Sequence, residues 1–459
     1  MRTVFHYIFI LNVAATLLLS GSSEAAASPL TTVWMVLLFV VAAIGLGPAQ
    51  RGQLIFWLAI CMTFGLVLWA WVQHMNWGGA AFQFRLPGSG DEGGAFLLDR
   101  ESISIVPADT LAAIPNVIKP FLAFLTAMMI ATNDKESIGL LRSLGALGGV
   151  IAIFSTLEFL FPRHFEMIAI GPPSGSLASV FINHNTAATF LGMVVLVLAA
   201  ICLGDLYLDD RDGKGRVHRG MGVTFNCTAL GFASCALLLT RSRAGIASTL
   251  IGLCILAVVL SYRNRHSKNY RARSLLQSLD WRVLGLFFLC ILGFIVMSGR
   301  VARAIFEKGY DDPRFCVWPQ MLDLLADNAL WGTGLGTFEA AFPSYRDPSC
   351  GIVGAWDKAH NFYIEAFITV GALFPVALLI FFAMFFFAMI HGLRYRRRLR
   401  RYVGLGLAIV ALCGLHSILD FSLQVSGVSV YFAVLLGATV SIAFGRHQPS
   451  RASRNGAVA

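Results

Sequence analysis

Repeated long apolar runs are the feature that most restricts how this chain can fold. Stretches of about 17–25 predominantly apolar residues recur along it, which is the length that an α-helix needs to cross the hydrocarbon core of a bilayer. Hydrophobic residues make up 57% of the 459-residue chain and charged residues only 13%. That charged fraction is about half of what a soluble globular protein carries. The sequence therefore predicts an all-α integral membrane protein.

Twelve runs are predicted to span the membrane. They cover residues 4–19, 30–46, 53–72, 111–131, 138–160, 184–203, 221–239, 245–262, 283–297, 362–390, 403–419 and 428–444. The first run follows Arg2 and precedes the small-residue stretch 25–27, so residues 1–27 also fit a cleavable signal peptide. A first transmembrane helix and a signal peptide both remain open from the sequence.

The basic residues indicate the orientation of these spans. Most of the 35 lysines and arginines lie in short loops on one side of the predicted membrane, which places those loops in the cytoplasm. Both termini are then cytoplasmic, and the large polar loop 300–360 faces the periplasm or the cell exterior. This arrangement also explains the net charge of +10, and no nucleic-acid partner is expected because a basic, aromatic-interleaved soluble module is missing.

The outward loops differ in their predicted structure. The loop 74–110 is rich in glycine and is predicted to be a mobile surface loop. In the large loop, apolar residues recur at the spacing of an amphipathic helix. They are Phe315, Trp318, Met321, Leu322 and Leu325. The glycine-rich stretch 331–338 should end this helix in a tight turn, but it lacks the Gly-Lys-Ser/Thr ending of a nucleotide-binding P-loop.

Cysteine positions predict one disulfide bond and no zinc site. Seven of the nine cysteines lie within predicted spans, whereas Cys316 and Cys350 share the large outward loop, where the compartment permits oxidation. We expect these two to pair. No spacing of cysteines and histidines resembles a zinc site.

Three arginines are candidates for binding an anion. Arg241 and Arg243 lie in a short outward turn between two spans. Interfacial anchoring is the ordinary explanation for such residues, yet outward arginines oppose the usual charge bias, and a guanidinium binds phosphate oxygens well. Arg314 follows two aspartates in the large loop, and a solvated ion pair with them is its alternative.

His360 stands where the large loop enters the tenth predicted span. A single histidine is usually structural, but the positive end of a helix and nearby arginines disfavour the imidazolium form. A neutral imidazole can accept a proton, as a general base must. Asn361 and Glu365 are four residues apart and share a helical face; they either orient partners or cap the helix.

Two more polar clusters lie at the outer ends of spans. His416 and Asp420 follow the eleventh span on one helical face, and Asn185 belongs to the cluster 183–185 before the sixth. Ionisable groups at such a depth are functional candidates by default. Helix capping is the alternative for both clusters.

Together these motifs resemble the O-antigen ligase and polymerase superfamily of bacterial inner-membrane glycan transferases. The similarity depends on their order and on their placement on one side of the membrane. The matching motifs are 183–185, 242–245, Arg314 with Trp318, 331–338, 360–365 and 416–421. The resemblance covers residues 181–444. We therefore expect N-terminal membrane helices in 1–180, a ligase-like membrane domain in 181–445 and a cytoplasmic tail in 446–459.

The resemblance implies transfer of a glycan from undecaprenyl diphosphate to a sugar hydroxyl of lipid A-core at the periplasmic face. Polymerases of the superfamily use another lipid-linked glycan as the acceptor. Its essential outward groups, two arginines and a histidine, fall here on Arg243, Arg314 and His360. We assign the remaining candidates to substrate binding; they are Arg241, Asn361, Glu365, Asn185, His416 and Asp420. The implied fold has twelve membrane helices, surrounded by membrane lipids, and short helices in the large loop.

The chemistry expected for this site needs no cofactor. Diphosphate is a good leaving group, so the protein must chiefly hold it, stabilise its growing charge and position the attacking hydroxyl. Metal-independent transfer is expected because the sequence shows no evident outward carboxylate cluster for Mg²⁺. Direct displacement at the anomeric carbon would invert its configuration.

Other functions remain open. A polymerase of O-antigen or exopolysaccharide and a protein O-glycosyltransferase belong to the same superfamily. A transporter or flippase would place charged residues near the bilayer midplane. Here Glu158 and Asp420 lie toward the outer ends of spans and the polar residues concentrate in one outward loop, which favours an enzyme.

Overall fold

The computed structural model describes residues 2–19, 24–78, 82–86, 96–162, 175–208, 216–265, 313–347, 350 and 356–445. The predicted span 283–297, the loop segment 300–312 and the tail 446–459 lie outside these residues. The side chain of Arg314 also lies outside the description.

Long α-helices dominate the described residues. They are α1 (Arg2–Leu19), α2 (Glu24–Gly45), α3 (Gln53–His74), α4 (Pro107–Ile130), α5 (Asp134–Leu160), α6 (His184–Leu208), α7 (Arg216–Leu239), α8 (Arg243–Arg265), α9 (Pro313–Asn328), α10 (Phe338–Ala341), α11 (Phe362–Val370), α12 (Leu373–Tyr395), α13 (Arg400–His416) and α14 (Ser426–Ala443). Ten helices in these ranges are long and apolar enough to cross a membrane. The 17-residue α13 occupies the eleventh predicted span. The predicted all-α membrane fold is confirmed.

Helices α6 and α14 form the centre of the bundle. Both are enclosed by other helices over almost their whole apolar length. Their rings meet where Phe190 of α6 lies 5.1 Å from Tyr431 of α14, measured between ring centroids. The hydrophobic core around them extends from Phe5 to Ala443. Residues before and after position 180 therefore share one core.

The tenth predicted span is not one continuous helix, contrary to the prediction. It divides into α11 and α12 at Gly371, which has φ 75°. The backbone of Gly371 packs against Leu330 and Gly332, so a Cβ at Gly371 would lie 2.6 Å from the Leu330 carbonyl oxygen. The uniform hydrophobicity of 362–390 concealed this break, because a glycine alone does not show that another segment approaches it.

The loop 74–110 contains a β-hairpin, where the sequence predicted only a mobile surface loop. Strands β1 (Phe82–Leu86) and β2 (Phe96–Arg100) pair antiparallel, with Phe82 opposite Arg100. The Arg100 guanidinium lies over the Phe84 ring, 5.2 Å from its centroid. This cation–π contact covers an aromatic side chain that also belongs to the second hydrophobic core.

That second core organises a small structure, which we call the cap. The cap comprises the hairpin, α9, α10, the 3₁₀ turn Phe342–Tyr345 and α11. The predicted amphipathic helix is present as α9, and Gly332 donates its N–H to the Asn328 carbonyl in the turn that follows. The buried face of α9 is formed by Val317, Met321 and Leu324. Leu322 was expected on that face but is exposed, because one step along the helix from the buried Met321 rotates the side chain by about 100°.

Gln73 at the end of α3 connects the cap to the bundle. Its amide nitrogen donates to the carbonyl oxygens of Trp331 (2.9 Å) and Thr369 (3.0 Å), and its amide oxygen accepts the Leu335 N–H (3.1 Å). The Gln73 side chain is fully buried. We call this end of the bundle the cap end.

The opposite end of the bundle is held by ion pairs. Asp134, the first residue of α5, pairs with Arg51 (2.7 Å) and with Arg396 just beyond α12. Exposed arginines such as Arg394 lie nearby. We call this the basic end, and it lies across the bundle from the cap.

Candidate functional site

Several of the predicted site segments meet at the cap end of the bundle. The start of α8 packs against α6 and α13, because a Cβ at Gly245 would lie 2.6 Å from Ala188 Cβ and 3.4 Å from His416 Cε1. The start of α11 joins the same group, since Phe362 donates its N–H to the Ser417 carbonyl at 3.0 Å. Motifs far apart in sequence therefore become neighbours.

Arg243 begins α8 and Arg241 lies in the turn before it. Ser242 Oγ accepts the Gly245 N–H at 3.3 Å, which caps this helix start. Both arginines are exposed. Within the described residues, neither guanidinium has a hydrogen bond or an acidic partner. Arg243 therefore presents a cation at the positive end of a helix, an arrangement that favours an anion.

His360 lies in the segment just before α11, between the cap core and the residues that follow α13. Its ring packs edge-to-face between Trp356 (5.3 Å between centroids) and Phe421 (5.1 Å). Trp356 packs against the cap core, whereas Phe421 follows α13. The backbone of His360 has φ 51°, a left-handed conformation that is uncommon for residues other than glycine.

Asn361 caps α11. Its side-chain oxygen accepts the N–H groups of Tyr363 (3.0 Å) and Ile364 (3.1 Å). Only 6% of Asn361 is exposed. This geometry agrees with the capping alternative, and the proposed contact of Asn361 with substrate remains a prediction.

Glu365, one turn into α11, is buried and bound to its own chain. One carboxylate oxygen accepts the Ala359 N–H at 2.8 Å, and the other lies 3.6 Å from Lys358 Nζ. Burial raises the pKa of Glu365, although Lys358 and hydrogen bonds from Ala359 and Gln424 oppose that rise. The carboxylate reaches back across His360 to the two residues that precede it.

His416 and Asp420 are joined by a buried chain of hydroxyl groups. Thr189 Oγ1 lies 2.5 Å from His416 Nδ1 and donates to Ser422 Oγ at 2.8 Å, and Ser422 in turn bonds to the Asp420 carboxylate. His416 and Asp420 are each about 1% exposed. In this structure their side chains therefore lie in the protein interior.

The sequence did not single out Thr189, and Ser422 was recognised only as part of the polar stretch that follows Asp420. Thr189 lies in α6 four residues after Asn185, and its hydroxyl also contacts the Asn185 carbonyl at 3.3 Å. Asn185 is nearly buried and its N–H is accepted by the Asn183 side chain at 2.7 Å. The spacing of Asn185 and Thr189, four residues apart on one face of α6, was the sequence signal that could have indicated this chain of hydroxyl groups.

Arg314 lies in the first turn of α9, but its guanidinium is outside what the structure describes. Cys316 in the same turn forms a disulfide with Cys350, the pair expected from the sequence. Val317 and Met321 of α9 share the cap core with Ala359, the residue before His360. The helix that carries Arg314 and the segment that carries His360 therefore pack against one another.

A metal site is not evident in the part of the chain that the structure describes. Its histidines, cysteines, aspartates and glutamates form no group of three or more that could hold an ion. Metal-independent chemistry remains a prediction.

The fold and this site define a multi-pass membrane protein with exposed arginines and a histidine at one end of its helix bundle. Residues 228–379 match the sequence family described as O-Antigen ligase. The match covers about a third of the chain, contains Arg243, Arg314 and His360, and ends before His416. The resemblance to the O-antigen ligase and polymerase superfamily is thus confirmed on these residues. A comparison with curated proteins found no match.

Proposed function

We propose that this protein transfers a polysaccharide from undecaprenyl diphosphate to a sugar hydroxyl of lipid A-core. The reaction takes place at the periplasmic face of a bacterial inner membrane. The observation that carries the proposal is Arg243, an exposed guanidinium with no partner among the described residues, at a helix start inside the family match. His360 lies at the same end of the bundle.

In the proposed site the arginines bind the donor. Arg243, with Arg314 and Arg241, neutralises the diphosphate, whose negative charge grows as the glycan leaves. The lipid tail of the donor stays in the bilayer beside the bundle. Holding donor and acceptor together converts a bimolecular step into a local one, which is a large part of such catalysis.

In the chemical step, the acceptor hydroxyl oxygen attacks the anomeric carbon of the donor sugar. The bond from that carbon to the phosphate oxygen breaks, and undecaprenyl diphosphate leaves with the bonding electrons. His360 takes the proton of the acceptor hydroxyl and later releases it to water. A single displacement inverts the anomeric configuration.

The test uses purified protein in proteoliposomes with a lipid-linked glycan donor and lipid A-core. His360→Ala is expected to slow formation of the joined product by about 10²–10⁴-fold because the general base is lost. Arg243→Ala is expected to slow it by about 10²–10³-fold because a transition-state contact is lost. Product is measured by gel mobility and mass.

Matched controls come from the basic end. His391, whose ring contacts the Ala443 carbonyl, and Arg394, which is exposed, lie away from the cap; His391→Gln and Arg394→Gln should retain activity. Full activity of His360→Ala at equal protein level would reject the mechanism. Growth of glycan on the lipid carrier, without transfer to lipid A-core, would indicate a polymerase. Translocation without a covalent product would indicate a transporter.

A further inference from the structure

The backbone of His360 is held in an unusual conformation. Its φ of 51° lies in the left-handed region, which non-glycine residues occupy only where the surrounding structure holds them there. The ring also lies between two aromatic side chains that belong to different parts of the fold. Something must therefore fix the chain on both sides of this residue.

On the C-terminal side, two contacts fix the chain. The side chain of Asn361 caps α11, and the Phe362 N–H donates to Ser417 at the end of α13. These bonds attach the residues after His360 both to their own helix and to the bundle. They leave the residues before His360 to be held by other groups.

On the N-terminal side, that group is Glu365. Its carboxylate accepts the N–H of Ala359 at 2.8 Å and lies 3.6 Å from Lys358 Nζ. Gln424, in the 3₁₀ turn Ser422–Gln424 that follows α13, also acts on this carboxylate and opposes the rise in the pKa of Glu365. Glutamate is almost never buried unless it is paired. Glu365 follows His360 in the chain, whereas its partners Ala359 and Lys358 precede it.

We infer that Glu365 is a positioning residue that fixes the segment 358–360, so that His360 meets the acceptor hydroxyl, and that it does not contact the substrate. The inference rests on the proposed function for its effect on rate. It replaces the substrate-binding role expected from the sequence, because both carboxylate oxygens contact the protein's own chain.

The physical reason is the geometry that proton transfer requires. A general base must lie within hydrogen-bond reach of the proton that it takes, and a displacement of about 1 Å can cost on the order of 10²-fold in rate. Without the carboxylate, the buried N–H of Ala359 loses its acceptor. The segment can then relax from the left-handed conformation at His360.

The test compares Glu365→Ala and Glu365→Gln. We expect Glu365→Ala to lower kcat by about 10–100-fold with little change in either KM, because the base is displaced while the binding groups remain. Glu365→Gln should recover most of that loss, since an amide oxygen can still accept the Ala359 N–H. Glu339, exposed on α10, provides the matched control; Glu339→Ala should change neither parameter.

A second measurement does not depend on activity. Diethyl pyrocarbonate modification of His360, followed by mass spectrometry, reports how accessible its ring is. Glu365→Ala should raise the modification rate of His360, while Glu365→Gln and Glu339→Ala stay near the wild-type rate. If Glu365→Ala leaves the modification rate of His360 unchanged, Glu365 does not position His360. This result does not depend on whether the proposed reaction is correct.

Kinetics then separate the alternatives. A raised KM for donor or acceptor with kcat unchanged would make Glu365 a substrate contact and reject the inference. Retention of activity by His360→Ala would reject the proposed reaction while leaving the labelling result to decide the role of Glu365.

Discussion

The helix bundle and the cap bury their apolar side chains in two separate cores. The bundle core runs through nearly every long helix and encloses α6 and α14. The buried part of the cap core comprises nine residues among those described, from Phe84 to Ile368. In lipid, helices associate through close packing, whereas a core as small as that of the cap needs additional constraints.

The cap obtains those constraints from special backbone positions, a buried amide and a covalent bond. Gly332 and Gly371 bring two segments into backbone contact, Gln73 joins the cap to α3, and the disulfide ties α9 to residue 350. His360 lies where the two regions meet. The candidate site therefore depends on the cap, which has a small core, and on the attachment of the cap to the bundle, which has a large one.

The largest effect should come from breaking the backbone contact within the cap. Gly332→Ala places a Cβ against the Thr369 carbonyl at φ 74°. We expect it to destabilise the cap by about 3–5 kcal/mol, the combined cost of left-handed backbone and overlap. Hydrogen exchange of the amides in α10 and α11 would measure this.

Gly78→Ala is the matched control for that change. Gly78 has a similar φ of 73°, but no atom of the described residues would lie within 4 Å of its Cβ. We expect only the backbone cost, about 1–2 kcal/mol. Equal exchange rates in the two variants would show that the contact between Gly332 and the Thr369 carbonyl is not important.

The next largest effect should come from opening the disulfide. Cys316→Ser is expected to destabilise the cap by about 3 kcal/mol, because the bond closes a 34-residue separation. Transfer activity should fall as well, since Arg314 lies in the same turn. Hydrogen exchange and the proteoliposome assay would measure both effects.

The unpaired Cys61 of α3 is the control for the disulfide variant, and Cys61→Ala should leave the cap unchanged. Alkylation of whole cells with a membrane-impermeant maleimide, before and after reduction, adds a test of sidedness. Ready alkylation of both loop thiols without reductant would contradict the bond.

A smaller effect is expected at the junction of the two regions. Gln73→Leu removes three hydrogen bonds to Trp331, Thr369 and Leu335 while keeping an apolar volume. We expect about 2 kcal/mol of lost stability in the cap, with the bundle unaffected. Thr63 lies on the same helix, and its hydroxyl donates to the Ala59 carbonyl one turn earlier and to no other described residue. Thr63→Val should therefore have little effect on hydrogen exchange in the cap. If both variants behave alike, Gln73 does not link the regions.

Much of the bundle was predictable because its signal is local. A run of apolar residues identifies a span by itself, and the described helices occupy eleven of the twelve predicted runs, the remaining one lying outside them. The amphipathic helix α9 and the turn after it were also recognisable from spacing and glycine. The buried face of α9 was slightly misplaced, because Leu322 and Leu324 are equally apolar and only packing distinguishes them.

The sequence singled out the residue types of the candidate site but not their contacts, and the roles of these residues remain predictions. Arg243 and His360 stand out as polar residues at span ends, and the structure places both at the cap end. The sequence did not predict the hydrogen bonds of Thr189 with His416 and Ser422, nor the bond from the Ala359 N–H to Glu365. Serine, threonine and glutamate occur widely, and their partners are chosen by the fold.

The sequence by itself determined that this chain crosses a membrane many times and carries its polar candidates at span ends. An apolar run of about 20 residues is sufficient for this, because a helix of that length spans the hydrocarbon core and satisfies its backbone hydrogen bonds internally. Only the tertiary structure decided the break at Gly371, the cap and the setting of His360. Those features depend on contacts between residues far apart in the sequence, such as Gln73 and Trp331, which are 258 residues apart. No local sequence pattern indicates that such contacts form.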